Sequence, residues 1–202
     1  MGRDRDPFDR ALTALRRRVI EAGPLQGAPL PVNTLAEELG VSTTPVREAL
    51  AWLAGEGLIA RTAAGYAAQV HDRQSLSRLY ALAGILAEAA LAQPDAPPIR
   101  DAEPIVAAPG PADDPLAALS GEPASVLDAL LARVQAQLAP FRAAEEAVLG
   151  CDDRIAIARA VNLAGAKGSE RGGGPLAARV RRYYRRRVRR AGDILAKALG
   201  LT

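Results

Sequence analysis

Within the six residues Ser42 to Arg47, this chain sets three hydroxyls and one guanidinium side by side, in the order Ser42, Thr43, Thr44, Pro45, Val46, Arg47. A guanidinium that leaves a packed helix face can donate two hydrogen bonds to guanine, a contact worth about 1 to 3 kcal/mol of discrimination between base pairs. Hydroxyls and backbone N–H groups in the first turn of a helix suit phosphate oxygens or a base edge. Two further positions fit the same chemistry. Gly65, with Tyr66 beside it, lets backbone approach a phosphate or the minor groove without a side chain in the way. Arg16 and Arg17, in the chain's first helical stretch, add positive charge that attracts a polyanion electrostatically. The candidate nucleic-acid-binding set is therefore Ser42, Thr43, Thr44, Arg47, Gly65, Tyr66, Arg16 and Arg17, and no residues form a catalytic set.

These residues need elements to hold them. From Pro7 to Ala22 the apolar residues Phe8, Ala11, Leu12, Leu15, Val19 and Ile20 recur at helical steps, with Arg10, Arg16, Arg17 and Arg18 on the solvent side. The Gly- and Pro-rich run GPLQGAPLP breaks that helix. Thr34 and Glu37 have capping-box spacing for a short second helix ending at Leu39, and Gly40 suits the left-handed position beyond it. Ser42 to Thr44 then cap a third helix with Pro45 in its first turn, burying Val46, Ala49, Leu50 and Leu53. Leu58–Arg61 and Tyr66–Val70 read as two strands joined through Ala63, Ala64 and Gly65. Three helices and a hairpin, with Gly40 to Ser42 between the second and third helices, make a winged helix-turn-helix.

Composition narrows the rest. Of 202 residues, 49% are hydrophobic but only 3% aromatic, so the core must be built from Ala, Leu, Val and Ile, which favours helices over an all-β fold. The net charge of +3 permits a polyanionic partner without demanding one. The single cysteine, Cys151, excludes an intrachain disulfide and a multi-cysteine zinc site. No apolar run reaches membrane-spanning length, and MGRDRDPFDR lacks a signal-peptide centre, so a cytoplasmic protein with no membrane partner is expected.

The string LAEELGVSTTPVREALAWLAGEGLI, Leu35 to Ile59, followed by a hairpin, resembles the GntR family of bacterial regulators. The resemblance implies a homodimer on a palindromic double-stranded DNA operator. It places the residues matching Thr43, Thr44 and Arg47 at bases or phosphates, and the wing glycine, Gly65, at the minor groove. Thr43 stands where the family commonly has arginine, and Ala63 and Ala64 where polar wing residues are common.

The second half divides into a connecting helix (73–93), a Pro-rich acidic linker (94–123) with eight prolines between Pro94 and Pro123, and an all-α bundle (124–202) of effector or dimerisation type. The first domain spans 1–72. Leu76, Leu79, Leu82, Ile85, Leu86 and Ala89 are expected to line the connecting helix. That helix resembles the one opening the effector domain of the FadR branch, which often holds a metal through one Asp and three His. In the matching register Leu138 replaces the Asp and Arg142 the His, and His71 is the only histidine, so no metal and no cofactor are expected. Arg142 either lies in a pocket, favouring a small anionic effector, or sits on the surface of a bundle kept for dimerisation. Eight arginines between Arg179 and Arg190 share the last helix with an apolar stripe of Val180, Tyr184, Val188, Ala191 and Leu195, so most of the charge must face water or an anion.

The function expected is a dimeric, sequence-specific transcription regulator, not an enzyme. No Cys/His pair suits nucleophilic catalysis, and GSERGGG lacks the ending and strand context of a phosphate-binding loop. The alternative is an architectural or partner-recruiting DNA-binding protein without effector, using the arginine-rich helix.

Overall fold

The computed structural model describes residues 6–92, 125–166 and 175–201. It divides into two compact units, Met1–His71 and Asp72–Thr202. The expected linker 94–123, the amino-terminal Arg3 and Arg5, and most of the glycine-rich turn near residue 170 lie outside the described residues.

In the first unit, α1 (Pro7–Glu21) starts at Asp6, whose side chain accepts from the Phe8 N–H, with proline at its first position. It buries Ala11, Leu15 and Val19 against α3 (Thr43–Gly55), which buries Val46, Ala49, Leu50 and Leu53. Between them lies α2 (Val32–Leu39). This helix begins two residues before the expected Thr34 cap, after Pro31, and no side chain caps it. Proline fixes the entry angle there, so the hydroxyl of Thr34 is not needed. Gly40 ends α2 at φ 62°, with its N–H on the Glu37 carbonyl and that of Val41 on the Ala36 carbonyl, a Schellman arrangement that needs a left-handed residue. Gly57, at φ 78°, does the same after α3, where the Leu58 N–H reaches the Leu53 carbonyl.

The wing is β1 (Ile59–Thr62) paired antiparallel with β2 (Gly65–Ala68), Thr62 facing Gly65 and Ile59 facing Ala68. The turn is therefore Ala63–Ala64 alone. Gly65, expected within the connection, is the first residue of the returning strand, at φ 121°. The Gly/Pro-rich run contributes more than a break: the Leu30 N–H donates to the Tyr66 carbonyl and the Ala68 N–H to the Ala28 carbonyl, so Ala28 to Leu30 flank β2 as a short third edge.

The second unit contains α4 (Arg73–Ala92), α5 (Val126–Leu138), a 3-10 turn (Ala139–Phe141), α6 (Arg142–Leu149), α7 (Asp152–Ala166) and α8 (Pro175–Ala198). Asp72 and Ser75 cap α4 reciprocally: the Ser75 N–H donates to Asp72 Oδ1 at 2.6 Å and the Asp72 N–H to Ser75 Oγ at 2.9 Å. Helix α4 packs most extensively on α8 and then on α5. Its buried face is Leu76, Tyr80, Ala83, Gly84, Ala87, Ala90 and Leu91. Leu82 and Ile85, expected on that face, are exposed. The small residues win because α8 comes so close: a Cβ on Gly84 would stand 3.0 Å from Cβ of Tyr184. By length and composition alone α4 could cross a membrane, with mean hydropathy 1.3, although it contains no unbroken apolar run of that length. Its alanines and leucines raise the average without forming an unbroken run, and seven of its residues pack in the unit's core.

Candidate nucleic-acid interface

The start of α3 gathers four of the eight expected residues. Ser42 precedes the helix in extended conformation (φ −71°, ψ 166°) and makes no side-chain capping bond, so the helix does not consume its hydroxyl. Ser42 and Thr44 are exposed and Thr43 is half-buried. Arg47, one turn on, is exposed beside buried Val46, as the spacing predicts. Unbonded N–H groups and the positive end of the peptide dipoles add to this, making the α3 amino terminus a donor-rich, cationic edge.

The wing carries Gly65 and Tyr66, both half-buried. Across the register from Tyr66 stands Arg61, exposed on β1, a cation that sequence reasoning passed over.

Arg16 and Arg17 do not join Arg47. Both carboxylate oxygens of Glu56 accept from Arg16, at 2.6 and 2.7 Å, so Arg16 is held at the far end of α3, roughly 13 Å further along the axis than Arg47 at 1.5 Å per residue. Trp52 Nε1 donates to the same carboxylate at 2.7 Å, and the Trp52 ring meets Phe8 edge to face at 6.2 Å. This cluster ties α1 to α3. Arg17 is exposed, 3.8 Å from Glu21. Arg18 pairs with Glu38 of α2, so it too serves the fold.

The second unit holds a different constellation in its core. Glu145, 2% exposed, accepts from Tyr80 Oη at 2.7 Å and from Arg187 Nε at 2.7 Å. Arg187 also donates to the Tyr183 carbonyl at 3.3 Å, and its guanidinium carbon lies 3.3 Å from the Tyr183 ring centroid. Burial, then the Glu145 charge, pushes the Tyr80 hydroxyl well above its usual range, so it stays protonated and donates. Burial alone would lower the Arg187 pKa, but Tyr183 and Glu145 outweigh it and the guanidinium stays charged. Most of the eight arginines of the last helix were expected to face water or an anion; Arg187 is an exception, 1% exposed within the apolar stripe beside buried Tyr183. Only a carboxylate on a neighbouring helix permits that.

Arg142 is 7% exposed at the start of α6, which removes the reading of it as a surface residue. Leu138, at the end of α5, is buried. Gln135 Nε2 and Arg187 Nη2 are buried donors with no hydrogen-bond partner among the described residues. Among those residues no group of three or more His, Cys, Asp or Glu is placed to hold a metal ion.

Comparison with known proteins bears on the fold and on the first unit. Residues 8–64 match the family described as bacterial regulatory proteins, gntR family. Among solved structures, E. coli McbR/YncC is similar in fold, with a TM-score of 0.63 at 14% identity over 92% of this chain and 97% of that one. No curated protein matches the chain in sequence.

Proposed function

From the GntR-family winged helix-turn-helix over residues 8–64, we infer that this chain is a DNA-binding transcription regulator that reads a palindromic operator as a homodimer. The observation that carries the reading is the α3 amino terminus, where an exposed Arg47 stands beside the hydroxyls of Ser42, Thr43 and Thr44 on a helix whose other face is fully packed. Such a helix enters the major groove with its first turn at the base edges. In this reading Arg47 contacts a guanine, Ser42, Thr43 and Thr44 contact phosphates or a base edge, and Gly65 and Tyr66 bring the wing to the adjacent minor groove, with Arg61 beside them. Arg17 supplies long-range attraction. Arg16, held by Glu56, is left out of the contact set.

Dimerisation is supported by apolar side chains the second unit leaves in solvent, Leu82 and Ile85 on α4 and Val126 and Leu130 on α5. The same unit offers buried donors, Gln135 Nε2 and Arg187 Nη2, of the kind that an acceptor group on a small anionic effector would satisfy, with Arg142 buried in the same unit. The function is regulatory rather than enzymatic, and a cytoplasmic site of action follows from it.

Selection of bound fragments from a random duplex library, run with and without a panel of organic acids, tests the whole reading. A two-fold symmetric consensus is expected, and its recovery should change with an acid that acts as effector. Recovery of random fragments under every condition would refute sequence-specific regulation.

A further inference from the structure

Helix α8 carries eight arginines from Arg179 to Arg190 with no acidic residue among them. Four have partners in the unit. Arg181 bonds Glu88, Arg186 bonds Asp153 and the Leu149 carbonyl, Arg187 bonds Glu145, and Arg190 bonds Asp193. Arg179, Arg182, Arg185 and Arg189 are exposed and make no ion pair among the described residues. At about 100° per residue these four fall within roughly 120° of the helix circumference, centred opposite the buried line of Val180, Arg187 and Ile194. The arginines of this side, Arg181, Arg182, Arg185, Arg186, Arg189 and Arg190, line with Ala178 an open depression of about 650 Å³ along the helix surface.

Like charges at three- and four-residue spacing destabilise a helix, so a stripe of guanidiniums with no ion pair among the described residues works against the fold that carries it. A purely solubilising surface mixes signs and gains nothing from arginine over lysine. Here every cation between residues 179 and 190 is arginine, the side chain whose fork matches phosphate oxygens two at a time. The stripe from Arg179 to Arg189 runs about 15 Å along the axis, the length of roughly four base pairs of duplex.

We propose that this face of α8 is a second DNA contact, binding the phosphodiester backbone of duplex DNA without regard to sequence. Charge and length define a polyanion with closely spaced phosphates. The choice of duplex DNA over other polyanions rests on the reading of the first unit as a DNA reader. The contact would hold the chain on non-operator DNA and add a uniform increment to every binding constant, leaving base preference to α3.

The test uses the full chain and a labelled duplex of random sequence, with affinity measured between about 50 and 200 mM salt. The variant Arg182→Gln/Arg185→Gln/Arg189→Gln alters only exposed side chains and relieves like-charge repulsion, so its circular-dichroism melt should lie at or above the parent's. Each phosphate contact contributes about 0.9 to the slope of log affinity against log salt, so the triple variant should lose roughly 2 to 3 from that slope. Its preference for the selected operator over random duplex should be unchanged. The corresponding triple lysine variant should restore most of the slope, which a packing role for these side chains would not allow. An unchanged slope in the glutamine variant overturns the proposal. So does loss of binding to inorganic polyphosphate with duplex binding intact, which would assign the face to another anion. Should the parent chain bind no duplex at all, the regulator reading falls with it. Operator preference with an unaltered slope removes the α8 contact alone.

Discussion

The two units handle arginine in opposite ways. In the first, cations stay at the surface, and two of the partnered ones, Arg16 with Glu56 and Arg18 with Glu38, fasten helices together from outside a core that is wholly apolar among the described residues. In the second, Arg187 and Arg154 are each 1% exposed, and Glu145 lies under the bundle with them. A surface ion pair contributes little and can be lost cheaply. A buried one adds little net stability either, but removing one partner strands the other charge. The first unit can therefore vary its charged residues with its binding partner, while the second is locked to a particular pairing of helices.

The sharpest way to break that contrast is Arg187→Met, which leaves Glu145 buried and uncompensated. It should destabilise the second unit by about 3 to 5 kcal/mol, whereas the double variant Arg187→Met/Glu145→Met should recover most of the loss. Urea unfolding read by circular dichroism measures this. Trp52, the only tryptophan in the chain, lies in the first unit, so its fluorescence reports that unit separately and should barely move. A joint shift of both signals would mean that the units do not differ as described.

The complementary substitution is Arg47→Ala in the first unit. It should cost about 1 to 3 kcal/mol of discrimination at one operator base pair and leave both unfolding transitions in place. Binding titrations on the selected operator and on its single-base variants check it. Equal discrimination before and after would take Arg47 out of the recognition role.

How far the sequence reveals these units follows from the range of the forces involved. The helices and turns of the first unit depend on local chemistry: Gly40 beyond α2, Pro45 in the first turn of α3, and the four-residue spacing of Val46 and Leu50 can each be read from a window of a few residues. What escaped notice there is nonlocal, namely the pairing of Ala28 and Leu30 with β2 and the capture of Arg16 by a glutamate forty residues away. In the second unit the helices were legible as periods, but their faces were not. Leu82 and Ile85 fit an apolar stripe as well as Ala83 and Ala87 do, and only the close approach of α8 selects the smaller set. Arg187 is one of eight similar arginines until Glu145 and Tyr80 are brought to it from two other helices.

The smallest effect sharpens the comparison at the start of α4. Hydrogen bonds from Ser75 hold the carboxyl of Asp72 below its ordinary 3.8. A carboxyl with a lowered pKa in the folded state contributes stability that is present above the unfolded value and lost as pH falls through the folded one. The second unit should therefore lose a small part of its thermal stability below about pH 3.8, and Asp72→Asn should remove that part of the acid dependence. A melting profile of the variant that parallels the parent at every pH would show that the cap does not contribute.

The strap along β2 bears on how the protein behaves when crowded. A two-stranded ribbon has two open rims, each a row of peptide groups onto which a foreign strand can add. Ala28 and Leu30 occupy one of them, turning their own carbonyl and amide inward. Pro29, between them, has no N–H to offer on the outer side. The remaining rim is four residues long and carries a charged Arg61. Copies at high concentration can thus sit close together without their hairpins zipping into a continuous sheet.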